Sequence, residues 1–463
     1  MTERPSTGLP DPADVATRIL RAATGPCIAI VEEAYEADVR FANNTVTTDG
    51  IRRDRRVTVV RVEPGSEQTG PGRAGVARRS GDVDVEALVR EAEAASSPAD
   101  DAFALVEGDA DDDFTDPAPA TGLDRLEAVI GSLGAAFARA RSSGIVLSGF
   151  AEHRVSTTYL ASTTGLRKRH VQPTGALQLV GRQGAASAWA GAGSPELADV
   201  RIDALEAQVL RGLGWARRRI DVEPGRHEVV LPPSAVADLM IYLADAASGT
   251  QSEEGRTVFS SPGGGTRVGD VLTPLPFDLW SDPAQPGLEC APFLATSASG
   301  VDVSVFDNGL ALGRTDWVRA GRLERLVYHR AGAARSGAVP TAPVDNLALS
   351  LPGASGTLED LIAATERGLL LTCLWYIREV DPKTLLLTGL TRDGVYVVED
   401  GEVIGAAGNF RFNESPLDVL ARATQASAPV RTYGREGGMW MNRTSMPALR
   451  VPDWNMSTVS QAI

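Results

Sequence analysis

The chain changes its pattern at Pro224 and Gly225. Before this point, long segments with helical periodicity alternate with strand-like runs. After it, the sequence becomes a succession of short β-like runs separated by turn signals rich in Asp, Asn and Gly. Each half is long enough to bury its own core. We therefore predict two domains, an N-terminal one over residues 1–222 and a C-terminal one over 223–463.

The N-terminal half carries four segments that predict helices, because their apolar residues recur at helical spacing. These segments are 11–24, 82–95, 123–142 and 195–219. Six strand candidates lie between them, at 27–34, 38–48, 55–63, 144–163, 168–181 and 186–192, and we predict a turn at Asp49 and Gly50. This order predicts an α+β domain, in which long helices cover one face of a curved antiparallel sheet.

The C-terminal half is predicted to be mostly β, with few helices, as in a sandwich or a barrel-like sheet. One helix is expected from Ser234 as N-cap to Gly249 as C-cap, and another from Thr357 to Gly368. The β-like runs that surround them are 227–233, 301–312, 322–331, 346–353, 368–377, 394–408 and 447–454.

Charge and composition argue against a protein that binds nucleic acids or membranes. There are 60 acidic and 45 basic residues, and the net charge of −15 opposes binding to nucleic-acid phosphates or to an anionic membrane surface. No signal-like segment and no long apolar run is present, so we expect a cytoplasmic protein with no membrane contact. Cys27, Cys290 and Cys373 have no metal-binding spacing and are expected to be small buried residues.

Residues that could carry catalysis are few. His227 and Glu228 form the only His-Glu pair, but a zinc-peptidase helix needs a second His on the same face, and the residues that follow are strand-like. The acidic segment 107–122 lacks the ligand spacing of a calcium loop and is expected to be an exposed loop. No phosphate-binding loop or serine-hydrolase elbow occurs. Carboxylates and a phenol remain available for unrecognised chemistry: Tyr242, Asp245, Glu399 and Asp400.

Several blocks along the chain resemble the TldD/TldE (PmbA) family of modulators of gyrase. In the N-terminal half these blocks are 38–50, 55–62 and 82–101; in the C-terminal half they are 303–337, 346–372, 398–420 and 446–454. Their order along the chain, rather than any single block, carries the resemblance, which extends over nearly the whole sequence.

The resemblance implies a zinc site that this chain has lost. TldD-type members carry H-E-x-x-x-H on a helix after a strand similar to VVLPP, and a Cys near the C-terminus completes the site. Aligned here, the first His falls on Ile241, the Glu on Tyr242, the second His on Ala246 and the Cys on Tyr433. None of these is a usual zinc ligand. We therefore expect neither a catalytic residue nor a metal on this chain. The helix predicted from Ser234 to Gly249 is expected to serve packing.

The pattern looks like the TldE (PmbA) branch, whose members pair with a zinc-bearing TldD-type paralogue. It implies a non-catalytic subunit of a heterodimeric zinc metallopeptidase that admits unfolded or short peptides, for degradation or for precursor processing. The alternative is a stand-alone peptide- or protein-binding module, and a homodimer stays possible. Trp375, Trp440 and Trp454 are expected to lie in the core rather than at an interface.

Overall fold

The computed structural model describes residues 9–65 and 72–460. Its N-terminal half consists of four helices and seven strands. The helices are α1 (Pro12–Ala22), α2 (Val85–Ala94), α3 (Glu127–Ser142) and α4 (Ile202–Trp215). The strands are β1 (Cys27–Ala42), β2 (Thr45–Glu63), β3 (Arg73–Ser80), β4 (Ser97–Pro98), β5 (Val146–Ser162), β6 (Arg167–Gln183) and β7 (Ala186–Ser194).

These strands form one antiparallel sheet in the order β4-β3-β2-β1-β5-β6-β7. The odd-numbered residues of β1 and β5 pack under α1 and α2 in one region and under α3 and α4 in another. Successive side chains of a strand point to opposite faces, so all four helices cover the same face of the sheet. The predicted α+β architecture is confirmed.

The predicted turn at Asp49 and Gly50 is wrong, because both residues lie inside β2, where Gly50 pairs with Asp38. The hairpin turns instead at Asn43 and Asn44, which have φ angles of 52° and 59°. Asparagine tolerates this left-handed region better than most residues, and a two-residue turn of this kind matches the twist of the strands. The Asn44 side chain also bonds the backbone of Ile145 and Leu147.

As far as residue 460, the C-terminal half contains two sheets and five α-helices. The helices are α5 (Pro233–Asp245), α6 (Gly249–Glu253), α7 (Arg330–Ser336), α8 (Leu358–Ala363) and α9 (Pro416–Arg422). The strands are β8 (Gly225–Leu231), β9 (Asp278–Ser281), β10 (Thr315–Arg319), β11 (Arg322–Leu323), β12 (Leu347–Ser350), β13 (Arg367–Leu371), β14 (Leu374–Asp381), β15 (Leu386–Thr391), β16 (Val395–Glu399), β17 (Glu402–Ala406), β18 (Asn409–Glu414), β19 (Gln425–Ala426), β20 (Val430–Thr432), β21 (Thr444–Met446) and β22 (Leu449–Ser460).

One sheet has six strands in the order β11-β10-β9-β12-β21-β20, and the other has nine, in the order β14-β15-β18-β22-β8-β13-β16-β17 with β19 beside β22. Helix α5 contacts β20 and β21 of the first sheet and β8 of the second. The main hydrophobic core of this half includes α5 and residues of both sheets. The helix is therefore held on both sides by β-structure.

Several predicted helix ends are wrong. Helix α5 begins at Pro233, not after Ser234, because the missing N–H of proline costs nothing in the first turn. Gly249 does not end it but starts α6, which Ser248 caps. The segment 195–219 becomes helical only at Ile202, since Leu197 has a φ of 56° that a right-handed helix cannot accept.

The predicted N-cap of helix α8, Thr357, is confirmed, because Thr357 and Asp360 form a reciprocal capping box. It ends at Ala363, however, and Gly368 lies in β13. A Cβ at Gly368 would approach the carbonyl oxygen of Glu228 to 2.9 Å, so the glycine serves close strand packing and not helix termination.

The acidic segment 107–122 is a loop, as predicted, but it is tied to β6. Lys168 forms ion pairs with Asp109 and Asp111 at 3.1 and 2.7 Å, and Arg169 pairs with Asp113 at 2.8 Å. The side chains of Asp109, Asp111 and Asp113 therefore have partners within the chain. The three cysteines are buried, as predicted, and burial raises the pKa of the Cys27 thiol to about 12. Among the described residues, no helix combines the length and apolarity that a membrane span requires.

Candidate functional site

Helix α5 carries three of the four positions at which the resemblance places zinc-site residues. Its sequence is apolar on nearly every side, which is typical of a helix enclosed in a core. Ile241 is buried, and Tyr242 is half-buried with its hydroxyl donating to the carbonyl of Ile377 at 2.8 Å. Ala246 is the C-cap, and its N–H donates to the carbonyl of Tyr242. These groups are therefore engaged in hydrogen bonds and packing within the helix and with β14.

Tyr433, the fourth position, lies just after β20 and is buried. Its hydroxyl accepts a hydrogen bond from Nε2 of Gln178 on β6, at 3.0 Å. The loop that follows brings it close to the helix, because Gly438 lies against the Tyr433 ring while Gly437 lies against the Ile241 side chain. The structure thus gathers Tyr433 and Ile241 around one loop, 434–438.

The residues at these positions do not fit a zinc ion. Zinc sites in proteins use thiolate, imidazole and carboxylate ligands, whereas the four positions offer two aliphatic side chains and two phenols. Burial raises the pKa of Tyr242 and of Tyr433 to about 12, so both stay protonated at neutral pH. Within residues 9–65 and 72–460, no three His, Cys, Asp or Glu side chains are grouped closely enough to hold a metal.

Asp238, one turn before Ile241 on α5, contacts this loop through its carboxylate and is only 1% exposed. Its Oδ1 accepts from the N–H groups of Glu436 and Gly437 at 3.1 and 2.8 Å, and its Oδ2 accepts from the N–H of Arg435 at 3.1 Å. Burial nevertheless raises the pKa of Asp238 to about 7, with the three N–H donors acting in the opposite direction. We call this arrangement the Asp238 clamp.

The clamp directs the side chain of Arg435 toward the N-terminal half. The guanidinium lies over the rings of Trp375 and Trp189, at 4.7 and 5.4 Å from their centroids, and Nη1 donates to Oε1 of Gln178 at 2.8 Å. Cation–π contacts of this kind are strengthened when water is excluded. Arg435 therefore links the seven-stranded sheet to the C-terminal half, close to the positions at which the resemblance places the zinc-site residues.

Glu436 fixes the other side of the loop. Both of its carboxylate oxygens accept from the N–H of Ile377 at 3.1 Å, and Arg378 pairs with it at 3.3 Å. Tyr376, beside Ile377, has a φ of 50°, a conformation that costs free energy in a non-glycine residue and that its surroundings must sustain. The loop thus joins α5, β6 and β14 through hydrogen bonds.

A cleft of about 510 Å³ opens beside the C-terminal end of α5. Ile241, Tyr242 and Asp245 line one side of it, and Trp317 and Trp440 lie on the other. Trp440 is 64% exposed, so the prediction of a core residue is wrong there. Trp454 is fully buried as predicted, and Trp375 is partly buried.

The residues considered for unrecognised chemistry are not brought into one cluster. Tyr242 and Asp245 both line the cleft beside α5. Glu399 ends β16, and Asp400 lies in the tight turn that follows, with its N–H bonded to the carbonyl of Glu366. No hydrogen bond in the described part of the chain connects that turn to Tyr242 or Asp245, and the turn has a local structural role.

The four histidines each have a structural partner. The ring of His227 bonds the carbonyl of Glu223 at 2.9 Å, and that of His153 bonds Thr121 at 2.6 Å. His329 caps α7, and His170 bonds Gln172. The His227-Glu228 pair lies on β8, where His227 pairs with Trp454, as expected for a strand.

Sequence reasoning missed Asp238, Arg435 and Gln178, which is the hydrogen-bond partner of the Arg435 side chain. One signal was present for Asp238, because an acidic residue inside an otherwise apolar helix is rarely buried without partners. Those partners lie about two hundred positions along the chain, and nothing in the sequence near either residue indicates the pairing.

The fold belongs to a known class of two-part α+β proteins, shown by similarity to solved structures over nearly their whole length. The crystal structure of TldE from Thermococcus kodakarensis is 16% identical, with a TM-score of 0.74, over 96% of this chain and 98% of that one. A candidate modulator of a DNA gyrase from Thermotoga maritima is 15% identical, with a TM-score of 0.72, over 96% and 99%. Another, from Bacteroides thetaiotaomicron, is 12% identical, with a TM-score of 0.68, over 96% and 98%.

Comparison with family models identifies the particular family. The model described as the PmbA/TldA metallopeptidase C-terminal domain matches residues 224–458, which is more than half of the chain. The protein belongs to this PmbA/TldD family, as the resemblance predicted. Comparison with curated protein sequences gives no match.

Proposed function

We propose that this protein is a non-catalytic, TldE-like subunit of a heterodimeric zinc metallopeptidase in the cytoplasm. Its partner would be a TldD-type paralogue that carries H-E-x-x-x-H and the zinc ion. The pair would enclose a chamber that admits unfolded or short peptides, for general degradation or for the processing of one precursor. The chain itself would shape that chamber and perform no step of the hydrolysis.

One observation carries this proposal. Where the resemblance places the metal ligands, the chain has Ile241, Ala246 and two protonated phenols, and the adjoining loop is held by the Asp238 clamp. A hydrolytic zinc site needs three protein ligands, an open position for water and a general base. Here the carboxylate of Asp238 already accepts three backbone hydrogen bonds, and it is committed to structure.

Membership of a metallopeptidase family supports a role in proteolysis, and the similarity in fold to a protein named TldE is consistent with the proposed branch. A stand-alone peptide-binding module, the alternative, would also have no catalytic activity, but it would require no partner. The two proposals differ in what the chain associates with, and that difference is measurable.

The test is to reconstitute peptidase activity from separately purified chains. A zinc-bearing paralogue from the same genome would be assayed alone, with this protein, and with this protein plus a chelator, on an unfolded peptide substrate. We expect cleavage that requires both chains and is abolished by the chelator. The control is a paralogue whose first motif histidine is replaced by alanine, which should bind this protein but not cleave. Cleavage by this protein alone that survives the chelator would refute the proposal.

A further inference from the structure

A second cleft, of about 520 Å³, lies between the two halves of the molecule, near the start of α5. One wall is formed by residues 188–191 of β7 and by α4. The opposite wall is formed by Pro233 and Ser234 at the start of α5, and by parts of β13, β16, β17 and β20. The volume lies within the range of small-ligand and peptide pockets. This cleft is separate from the one beside Ile241 and Asp245.

The β7 side of the cleft is a sheet edge. In the described part of the chain, β7 pairs only with β6, from Gly175 opposite Ser194 to Gln183 opposite Ala186. In an antiparallel ladder each strand directs alternate N–H and C=O groups away from its partner. On β7 those outward groups point away from β6, and residues 188–191 border the cleft. An edge of this kind is a template for another extended backbone.

The sequence of β7, Ala-Ser-Ala-Trp-Ala-Gly-Ala-Gly-Ser, leaves this edge uncrowded. The Trp189 ring folds back over Gly191, whose missing Cβ leaves room for it, and its Nε1 donates to Gln178. Gly193, farther along β7, lies against Tyr433, the residue that follows β20. In the described residues, no strand pairs with the outward side of 188–191.

The remaining walls suit the side chains of an extended peptide. Trp215, Ile362 and Tyr396 supply apolar surface, with the rings of Trp215 and Tyr396 5.0 Å apart. Val430 of β20 is 51% exposed and lines the same cleft. At the rim, Arg211 of α4 and Glu359 of α8 form an ion pair at 3.2 Å, which connects the two walls.

We propose that the β7 edge binds an extended peptide segment by backbone pairing inside this cleft. Ala188, Trp189 and Ala190 are only 3%, 9% and 2% exposed, so the peptide would meet the outward backbone of the four residues that line the cleft, and not their side chains. At a rise of about 3.3 Å per residue, these four residues would pair with about four residues of the peptide. Main-chain hydrogen bonds would supply the affinity, and the apolar walls would favour small aliphatic side chains. The inference rests on the proposed function in that the ligand is a peptide, but it assigns the binding site to this chain.

The probe is a fluorescein-labelled Ala-Val-Ala-Val-Ala peptide, with two isomers that carry N-methyl groups on alternate backbone nitrogens. A strand bound to one edge uses only alternate N–H groups. One methylated isomer should therefore lose binding by about tenfold or more, whereas the other should bind nearly as well as the parent. Equal binding of all three peptides would overturn the proposal.

Hydrogen–deuterium exchange locates the bound peptide. With the full chain, alone and in complex with the paralogue, the peptide should slow exchange at amides of residues 186–194. Val430→Arg should raise the peptide Kd by about tenfold, whereas Val459→Arg, at a valine that is 56% exposed and outside the cleft, should leave it unchanged. Protection on another strand, or no binding at all, would overturn the proposal.

The two proposals fail in distinguishable ways. If the chain forms a zinc-bearing heterodimer but added peptide does not slow hydrogen exchange at residues 186–194, only the β7 site is refuted. Protection at 186–194 in a chain that never associates with a paralogue would refute only the heterodimeric function.

Discussion

The loop 434–438 and the edge of β7 use their backbone N–H groups in opposite ways. In the loop, the N–H groups of residues 435–437 all donate to the buried carboxylate of Asp238. On β7, the outward groups of residues 188–191 face a cleft with no strand beside them in the described structure. Satisfied backbone groups hold a structure in place, while unsatisfied ones at an accessible edge can bind another chain. The loop is thus a structural region, and the β7 edge is the proposed binding region.

The largest expected effect is at the clamp. Asp238→Ala leaves three buried N–H groups without an acceptor, and we expect it to lower the free energy of unfolding by about 4 kcal/mol. Urea denaturation measures this loss. The matched control is Asp245→Ala, which removes an exposed carboxylate from the same helix and should cost less than about 0.5 kcal/mol. Equal losses in the two variants would remove the distinction between the two regions.

The clamp also predicts a dependence of stability on pH. The pKa of Asp238 is about 7 in the folded chain against an ordinary value of 3.8. At a pH between these two values, the carboxyl is protonated in the folded state and ionised in the unfolded state. Stability should therefore fall as the pH rises from about 4 to about 7, by roughly 2–4 kcal/mol relative to Asp238→Asn, which cannot ionise. Parallel stability curves for the two proteins over this range would contradict the assignment.

Arg435 should have a smaller effect. Arg435→Ala removes the contacts with Trp189 and Trp375 and the hydrogen bond to Gln178, and we expect a loss of about 2 kcal/mol. Arg435→Lys keeps the charge but not the planar stacking, and it should fall between the wild type and the alanine variant. The thermal midpoint measures both. An unchanged midpoint in Arg435→Ala would show that the loop is held by Asp238 alone.

The β7 cleft should show the smallest effect on stability. Val430→Arg changes an exposed valine that lines it, and the free energy of unfolding should change by less than about 0.5 kcal/mol. The same variant is expected to weaken peptide binding. A large loss of stability would mean that the cleft wall is structural, like the loop, and the comparison would no longer hold.

The fold could be predicted to the extent that it depends on local pattern. The apolar stripes of α2 and α5, and the strand runs of β1 and β5, are visible in the sequence because burial repeats at the period of the element. The hairpin was misplaced because Asp49-Gly50 is a stronger turn signal than Asn43-Asn44. The contacts of Asn44 with Ile145 and Leu147 are long-range, and they decide between the two.

The candidate site was predicted only in part. The loss of ligand types at Ile241, Tyr242, Ala246 and Tyr433 is a prediction from the resemblance. The clamp and the β7 edge depend on which distant segments meet. The clamp joins positions 238 and 437, and the cleft joins positions 190 and 430. Such pairings depend on tertiary structure, which residue spacing does not encode.

We propose above all that this chain acts as the zinc-free half of a heterodimer. The decisive experiment is native mass spectrometry of the tagged protein, purified gently from its own cells, with the zinc counted per complex. We expect a heterodimer with a paralogue that carries H-E-x-x-x-H, and about one zinc ion per pair. A monomer, or a homodimer with stoichiometric zinc, would refute the proposal.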